Sequence, residues 1–262
     1  MTARGVRIGL LLLVLVLALA LVALDTWLTR ARTTSWEKPL RATIYPIVAD
    51  DRAVTRDYVA ALTREDFIDL ENFLQHEAPR YGIPIAEPLR VRLGPTLTEL
   101  PPMLPARRSV LTTVTWSLQL RWWASRRESG QPRPHSQIRM FVLYYDPAES
   151  PQLAHSLGLE KGLIGVVHAF ASRSMTPTNN VVIAHELLHT LGASDKYDAA
   201  TSLPLFPDGY AEPERQPRLP QRYAELMGGR VPIAADHAEI PVGLASVVIG
   251  PQTAREIGWV HP

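Results

Sequence analysis

The chain has 262 residues, a formal net charge of +1 and no cysteine. Disulfides and a lipid-modified cysteine are therefore excluded, and a charge this near zero leaves no electrostatic case for a nucleic-acid partner. No internal repeat or long low-complexity tract interrupts the sequence.

Arg4 and Arg7 precede Ile8–Leu24, an uncharged run of 17 residues containing one glycine. That is the short limit for a membrane span of about 17–25 residues. Trp27 suits the interface, and Asp25, Arg30 and Arg32 close the run off. Arginines ahead of the run favour a cytoplasmic N-terminus and an exported remainder. The reading is a signal-anchor over residues 1–30 and one domain over 31–262, single-pass in the membrane with the domain outside the cytoplasm. A cleaved signal peptide with Ala18-Leu19-Ala20 as its small-residue site, and hence a secreted chain, is the alternative. The roughly 235 residues that follow can bury a substantial core.

Ala42–Val48 alternates loosely and predicts a strand. Arg64–Tyr81 carries Phe67, Leu70, Phe73 and Leu74 at helical spacing and predicts a helix ending near Gly82. Leu89–Leu93 alternates strictly, as a half-exposed strand does. Pro101, Pro102 and Pro105 mark a loop. In Val110–Ser125 the Thr and Val content favours strand, whereas its length and the Leu118, Trp122 spacing favour helix, which is the reading taken. Arg121-Trp122-Trp123 and Arg126-Arg127 form a basic aromatic cluster, read either as inward-packed tryptophans with solvated arginines or as a contact for anionic lipid headgroups. Ile138–Tyr145 and Leu163–Ala171 read as strands. Leu203–Pro220 holds five prolines and reads as a long loop, and Thr253–Trp259 as a terminal helix.

Residues 185–195 read His-Glu-Leu-Leu-His-Thr-Leu-Gly-Ala-Ser-Asp. His185 and His189 stand four apart, on one face of a helix, where two imidazoles can hold one zinc ion. Glu186 lies beside them as a general base. Gly192 lets the backbone turn away, so that Asp195 can return as a third ligand and leave one coordination position open. A pattern this long arises by chance in about 1 in 20,000 chains of this composition. Thr178 or Asn179 is the expected helix cap. Val181, Ala184, Leu188 and Leu191 form an apolar stripe that Val182, Ile183 and Leu187 widen. The helix is therefore expected to be mostly buried, and a metal gives its polar groups a reason to be there. His168 and His237 compete for the third ligand position. Asp198 is a nearer rival, or a carboxylate that stabilises the loop.

This segment resembles the metzincin zinc peptidases, whose motif is His-Glu-x-x-His-x-x-Gly-x-x-His or Asp followed by a methionine turn. With Asp195 at the last position it is similar to the snapalysin-like peptidases, and Asp195-Lys196-Tyr197-Asp198 is similar to the immune-inhibitor-A-like ones. The resemblance covers residues 180–229. It implies that Ala224–Gly229 is the methionine turn, with Met227 a hydrophobic floor beneath the ligands. It also implies an α/β (α+β) zincin-like mixed sheet with an active-site helix, following an N-terminal transmembrane helix. The strand before that helix is expected to rim the cleft and pair with extended substrate. Gly229 stands where many metzincins carry a tyrosine; Tyr197 and Tyr223 are read as packing residues or as its substitutes. The expected activity is hydrolysis of a peptide or protein substrate, with Zn2+ held by His185, His189 and Asp195 and activating a water, and Glu186 moving its proton. An inactive zinc-binding envelope scaffold and a zinc amidase acting on cell-wall peptide are the other classes open.

Overall fold

The computed structural model describes residues 33–105, 109–128, 137–160 and 162–260, together with Val16. The apolar run at 8–24 otherwise lies outside the described residues. Among the described residues no helix is long and apolar enough to cross a membrane. The chain divides into two units, Met1–Ser35 and Trp36–Pro262, and the zinc-type motif lies in the second.

The second unit is built on a five-stranded sheet of β1 (Leu40–Val48), β2 (Leu89–Leu93), β3 (Ile138–Tyr145), β4 (Leu157–Leu159) and β5 (Ile164–Phe170). Their order is β2-β1-β3-β5-β4. β2, β1, β3 and β5 run parallel, and β4 alone is antiparallel to its neighbour. Parallel strands are covered on both faces and read as near-continuous apolar runs. Ile-Arg-Met-Phe-Val-Leu-Tyr-Tyr in β3 is such a run, and six of its eight residues are buried.

Five helices are described: α1 (Ala53–Ala60), α2 (Ile68–Glu77), α3 (Val110–Glu128), α4 (Thr176–Thr190) and α5 (Pro251–Glu256). Strand alternation divides them between two cores. Ala42, Ile44, Met140, Val142, Val167 and Ala169 face the core that holds α4 and α2. Tyr45, Ile47, Phe141, Leu143, Ile164 and Val166 face the smaller core, which Trp116, Leu120, Trp123 and Ala124 of α3 complete. The α3 tryptophans thus divide: Trp123 is buried, whereas Trp122 is 59% exposed. A mixed α/β unit with a mixed sheet agrees with the expected class.

Several local expectations need correction. The first helix is interrupted. Arg64–Phe67 and Ala78–Tyr81 are 3-10 turns flanking α2, and Pro79 enters where α2 would continue. α4 starts at Thr176, ahead of both expected caps, with Pro177 in its first turn. Asn179 is otherwise engaged: its side chain accepts from Phe170 N and donates to Phe170 O, tying α4 to the end of β5. The strand before α4, expected at the edge, is not an edge strand. β4 pairs outside β5, so β5 is internal and β4 is the edge. The terminal helix begins earlier and is shorter than expected, because Pro251 suits a first helical position. α1 and the hairpin of β7 (Val231–Ala234) with β8 (His237–Glu239) were not anticipated. Two short strands, β6 (Ala224–Glu225) and β9 (Val247–Val248), pair in parallel and complete the list.

The two sides of α3 give a stability test. Leu120 is fully buried and Leu118 is 57% exposed. Leu120→Ala should cost about 2–5 kcal/mol in chemical denaturation, and Leu118→Ala no more than about 0.5 kcal/mol. Equal losses would contradict this orientation of the helix.

Candidate metal centre

α4 carries His185 and His189 on one face, their ring centroids 4.7 Å apart. Beyond Thr190 the chain reverses. Gly192 has φ 99°, a region that side chains rarely adopt, and the N–H of Ala193 returns to Leu188 O at 3.1 Å. This turn delivers Asp195. Its Oδ1 lies 3.0 Å from Nε2 of His185 and 3.0 Å from Nε2 of His189, and the two Nε2 atoms are 3.1 Å apart.

The opposite ring nitrogens decide what those contacts mean. Nδ1 of His185 is 2.9 Å from Leu226 O, and Nδ1 of His189 is 2.7 Å from Ala193 O. A backbone carbonyl only accepts, so both Nδ1 atoms donate. In the neutral rings each Nε2 then presents a lone pair. Two such lone pairs and a carboxylate oxygen meet at one point, an arrangement that a metal ion, or a proton on one ring, would relieve. Bonds of about 2.0–2.1 Å in a tetrahedron separate ligand atoms by about 3.3 Å, close to the spacing found. Two imidazoles and a carboxylate are a donor set that divalent transition ions such as Zn2+ and Fe2+ accept. Among the described residues this is the only cluster of three or more such groups placed to hold an ion.

Electrostatics agree. Burial works against the charge of Asp195, but bonding to the two imidazoles outweighs it and holds its pKa below the carboxylate range. For His189 burial favours the neutral ring, and Asp195 and Glu186 outweigh it and raise the pKa. A proton therefore competes with metal for this position.

Glu186 is buried beside the ligands, and its Oε2 has no hydrogen-bond partner. Burial raises its pKa, the two histidines oppose the rise and Asp195 adds to it. Edge strand β4 crosses over the backbone of α4 at this turn. A Cβ on Gly158 would collide with the carbonyl oxygen of Glu186 and with Cβ of His189. Glycine is required for so close an approach.

The rival ligands are placed elsewhere. His168 alternates with Ile164 and Val166, on the sheet face away from α4, where it stacks on Tyr145 with Nδ1 3.1 Å from the hydroxyl. His237 is exposed in β8 beside Glu239. Asp198 accepts from Ala200 N, Thr201 N and Thr201 Oγ1, so it serves its own loop. Of the two tyrosines, Tyr197 lies near the ligands, its ring centroid 6.2 Å from that of His185. Burial and the carboxylates of Asp195 and Glu186 push its phenol up to about 12, so it is a proton donor at neutral pH. Tyr223 lines a different cavity, with Val242 and Pro177.

Met227 is fully buried in the turn Leu226–Gly228, whose Leu226 carbonyl orients His185. Two supports escaped the sequence reading. Glu225, also fully buried, accepts from Gly228 N at 2.8 Å, Gly250 N at 3.0 Å and Thr253 Oγ1 at 2.7 Å, bracing the methionine turn against α5. Glu256 of α5 accepts from Ser194 N and Oγ and from the buried Lys196 Nζ. It thus grips both neighbours of Asp195. Pairing partners 25 to 62 residues apart leave no local signal.

The chain matches no protein-family model and no curated protein.

Metal titration tests the ligand set. Asp195→Ala should lower affinity for Zn2+ or Co2+ by more than about 100-fold, and Glu256→Ala by about 10–100-fold through misplacement of Asp195. Asp198→Ala should leave affinity within about twofold. Because the His189 pKa is raised, the proton should begin to displace metal, and affinity to fall, at a pH already above the ordinary imidazole range. Isothermal titration and the visible spectrum of the Co2+ form measure both; undiminished binding by Asp195→Ala would remove it from the ligand set.

Proposed function

We propose that this chain is a zinc-dependent endopeptidase, held at a membrane by residues 8–24 with its catalytic unit exported. The observation that carries the reading is the meeting of three acceptor atoms beside a buried, unpartnered Glu186 Oε2, beneath an edge strand. The resemblance of residues 180–229 to the metzincins, with Asp195 as the third ligand, points the same way.

Bound Zn2+ would polarise the scissile carbonyl and lower the pKa of water. The remaining roles fall to the chain itself. Glu186 is placed to take a proton from the attacking water and return it to the amine nitrogen as the C–N bond breaks. Its burial keeps the carboxylate basic, which assists the first transfer. The Leu226 and Ala193 carbonyls hold the imidazoles in one tautomer throughout. Tyr197, protonated at neutral pH, is the nearest phenolic donor for charge developing on the carbonyl oxygen. β4 pairs with β5 on one side only. Its other side suits an extended peptide bound through main-chain hydrogen bonds, so binding would tolerate many sequences.

Glu186→Gln is nearly isosteric and leaves the ligands intact, so metal affinity should persist while peptide cleavage falls by about 10²–10⁴-fold. Gly158→Val should also reduce cleavage, chiefly through KM, because it pushes β4 off α4. Turnover of a mixed peptide library, with and without chelator, measures both. Wild-type turnover in Glu186→Gln would refute the role of that residue.

Topology has its own test. A reporter active only after export, fused at Pro262, should be active, and the chain should stay with the membrane fraction at full length. A cytoplasmic reporter signal would overturn the exported placement, and a mature chain beginning near Leu21 would overturn the anchor.

A further inference from the structure

α3 has two apolar sides. Trp116, Leu120, Trp123 and Ala124 are buried against the sheet. On the opposite side Leu111 is 73% exposed, Val114 50%, Leu118 57% and Trp122 59%. At 3.6 residues per turn these four fall within about 80° of one another around the axis. Thr115 and Ser125 complete this outward side, so it bears no charge. Arg121 borders it on one side and Arg126 on the other, and the Arg126 guanidinium lies 4.2 Å from the Trp122 ring centroid. Arg127 points elsewhere, toward Glu99 and Trp123.

In the loop ahead of α3, Leu100, Met103 and Leu104 are exposed as well, Met103 to 88%. Trp116 Nε1, on the inward side of α3, donates to Pro102 O at 3.0 Å. A stripe of large apolar side chains left exposed marks something a protein contacts.

We infer that the outward side of α3 rests on the surface of an anionic lipid bilayer. Three features select a bilayer as occupant. A narrow uncharged stripe containing tryptophan, bordered by arginines on both sides, has the form of a helix lying in the interface plane, its apolar side chains immersed and its guanidinium groups at headgroup level. The border is positive on both sides, which complements anionic headgroups. α3 also lies on the face of the sheet opposite α4, so docking through it leaves the metal centre uncovered. The inference is independent of the catalytic reading and of the fate of residues 8–24.

A fragment of residues 36–262 tests it, since both buried clusters lie within that unit and give it a core of its own. Co-sedimentation with phosphatidylcholine vesicles containing phosphatidylglycerol should show binding that weakens on removing phosphatidylglycerol or raising salt. Leu118→Ser with Trp122→Ser should lower the partition coefficient by at least about tenfold. These side chains are exposed, so circular dichroism and metal affinity should not change. Arg121→Glu with Arg126→Glu is the second variant, expected to lose the phosphatidylglycerol dependence, and it decides the matter if the first fails to fold. Absence of binding by the wild-type fragment, or binding by both variants equal to wild type, overturns the inference. So does a dimer in analytical ultracentrifugation that the Leu118, Trp122 variant dissociates while vesicles bind neither form; the stripe would then be a contact between copies.

Discussion

Three acceptor atoms directed at one point are the constraint around which the α4 side of this unit is arranged. Two imidazole lone pairs and a carboxylate oxygen about 3 Å apart repel one another unless a cation lies between them. α4 alone cannot impose this. The tautomers are set by two carbonyls from outside the helix, Ala193 O and Leu226 O. The first depends on the reversal at Gly192, the second on the methionine turn. Each turn is in turn braced from α5: Glu256 holds the residues flanking Asp195, and Thr253 and Gly250 hold Glu225. Burying Glu225 and Lys196 is unfavourable unless their hydrogen bonds are made. Both are bonded within this frame, and breaking either would leave a charge without compensation close to the site.

What was legible in the sequence follows from how local each signal is. His185, Glu186 and His189 share one helical turn, Gly192 marks the reversal and Asp195 comes six residues after His189, so the ligand trio needed no knowledge of the fold. α4, β1, β2, β3 and β5 were readable for the same reason: their periodicity is contained within each segment. The sheet order was not, because parallel pairing joins segments about 50–100 residues apart with nothing in either to name its partner. β4 has three residues, too few to show alternation. The misplaced cap is instructive. Asn179 has the chemistry of a helix cap, yet its amide matches the N–H and C=O of Phe170 at the end of β5, and that tertiary pairing prevails over the local one. Glu225, Lys196 and Glu256 were missed because an isolated charge in sequence resembles any solvated one.

Glu186 shows how local motif and distant strand combine. Its side chain is buried, while Gly158 of β4 passes over its backbone carbonyl. Any larger residue at 158 would have to move β4 away from that carbonyl and from Cβ of His189. One missing methyl group on an edge strand therefore sets how closely that strand approaches the helix carrying His185 and His189.

The sheet separates two kinds of surface. Alternation along β1, β3 and β5 sends one set of side chains toward α4 and the other toward α3. On the α4 side most buried polar groups are engaged, and Oε2 of Glu186, Oδ1 of Asn180 and Nε1 of Trp259 are among the few atoms without a partner. On the α3 side the ordering is inverted: apolar side chains stand outward on a helix whose inner side is already satisfied by the sheet. Removing Leu118 or Trp122 would disturb nothing in the core, so folding does not account for them. Their position relative to Arg121 and Arg126 is explained by a boundary between an apolar phase and a charged one. α3 and α4 thus lie on opposite faces of the sheet, with β4 at its edge, so whatever covers the outward side of α3 leaves the trio on the α4 side open.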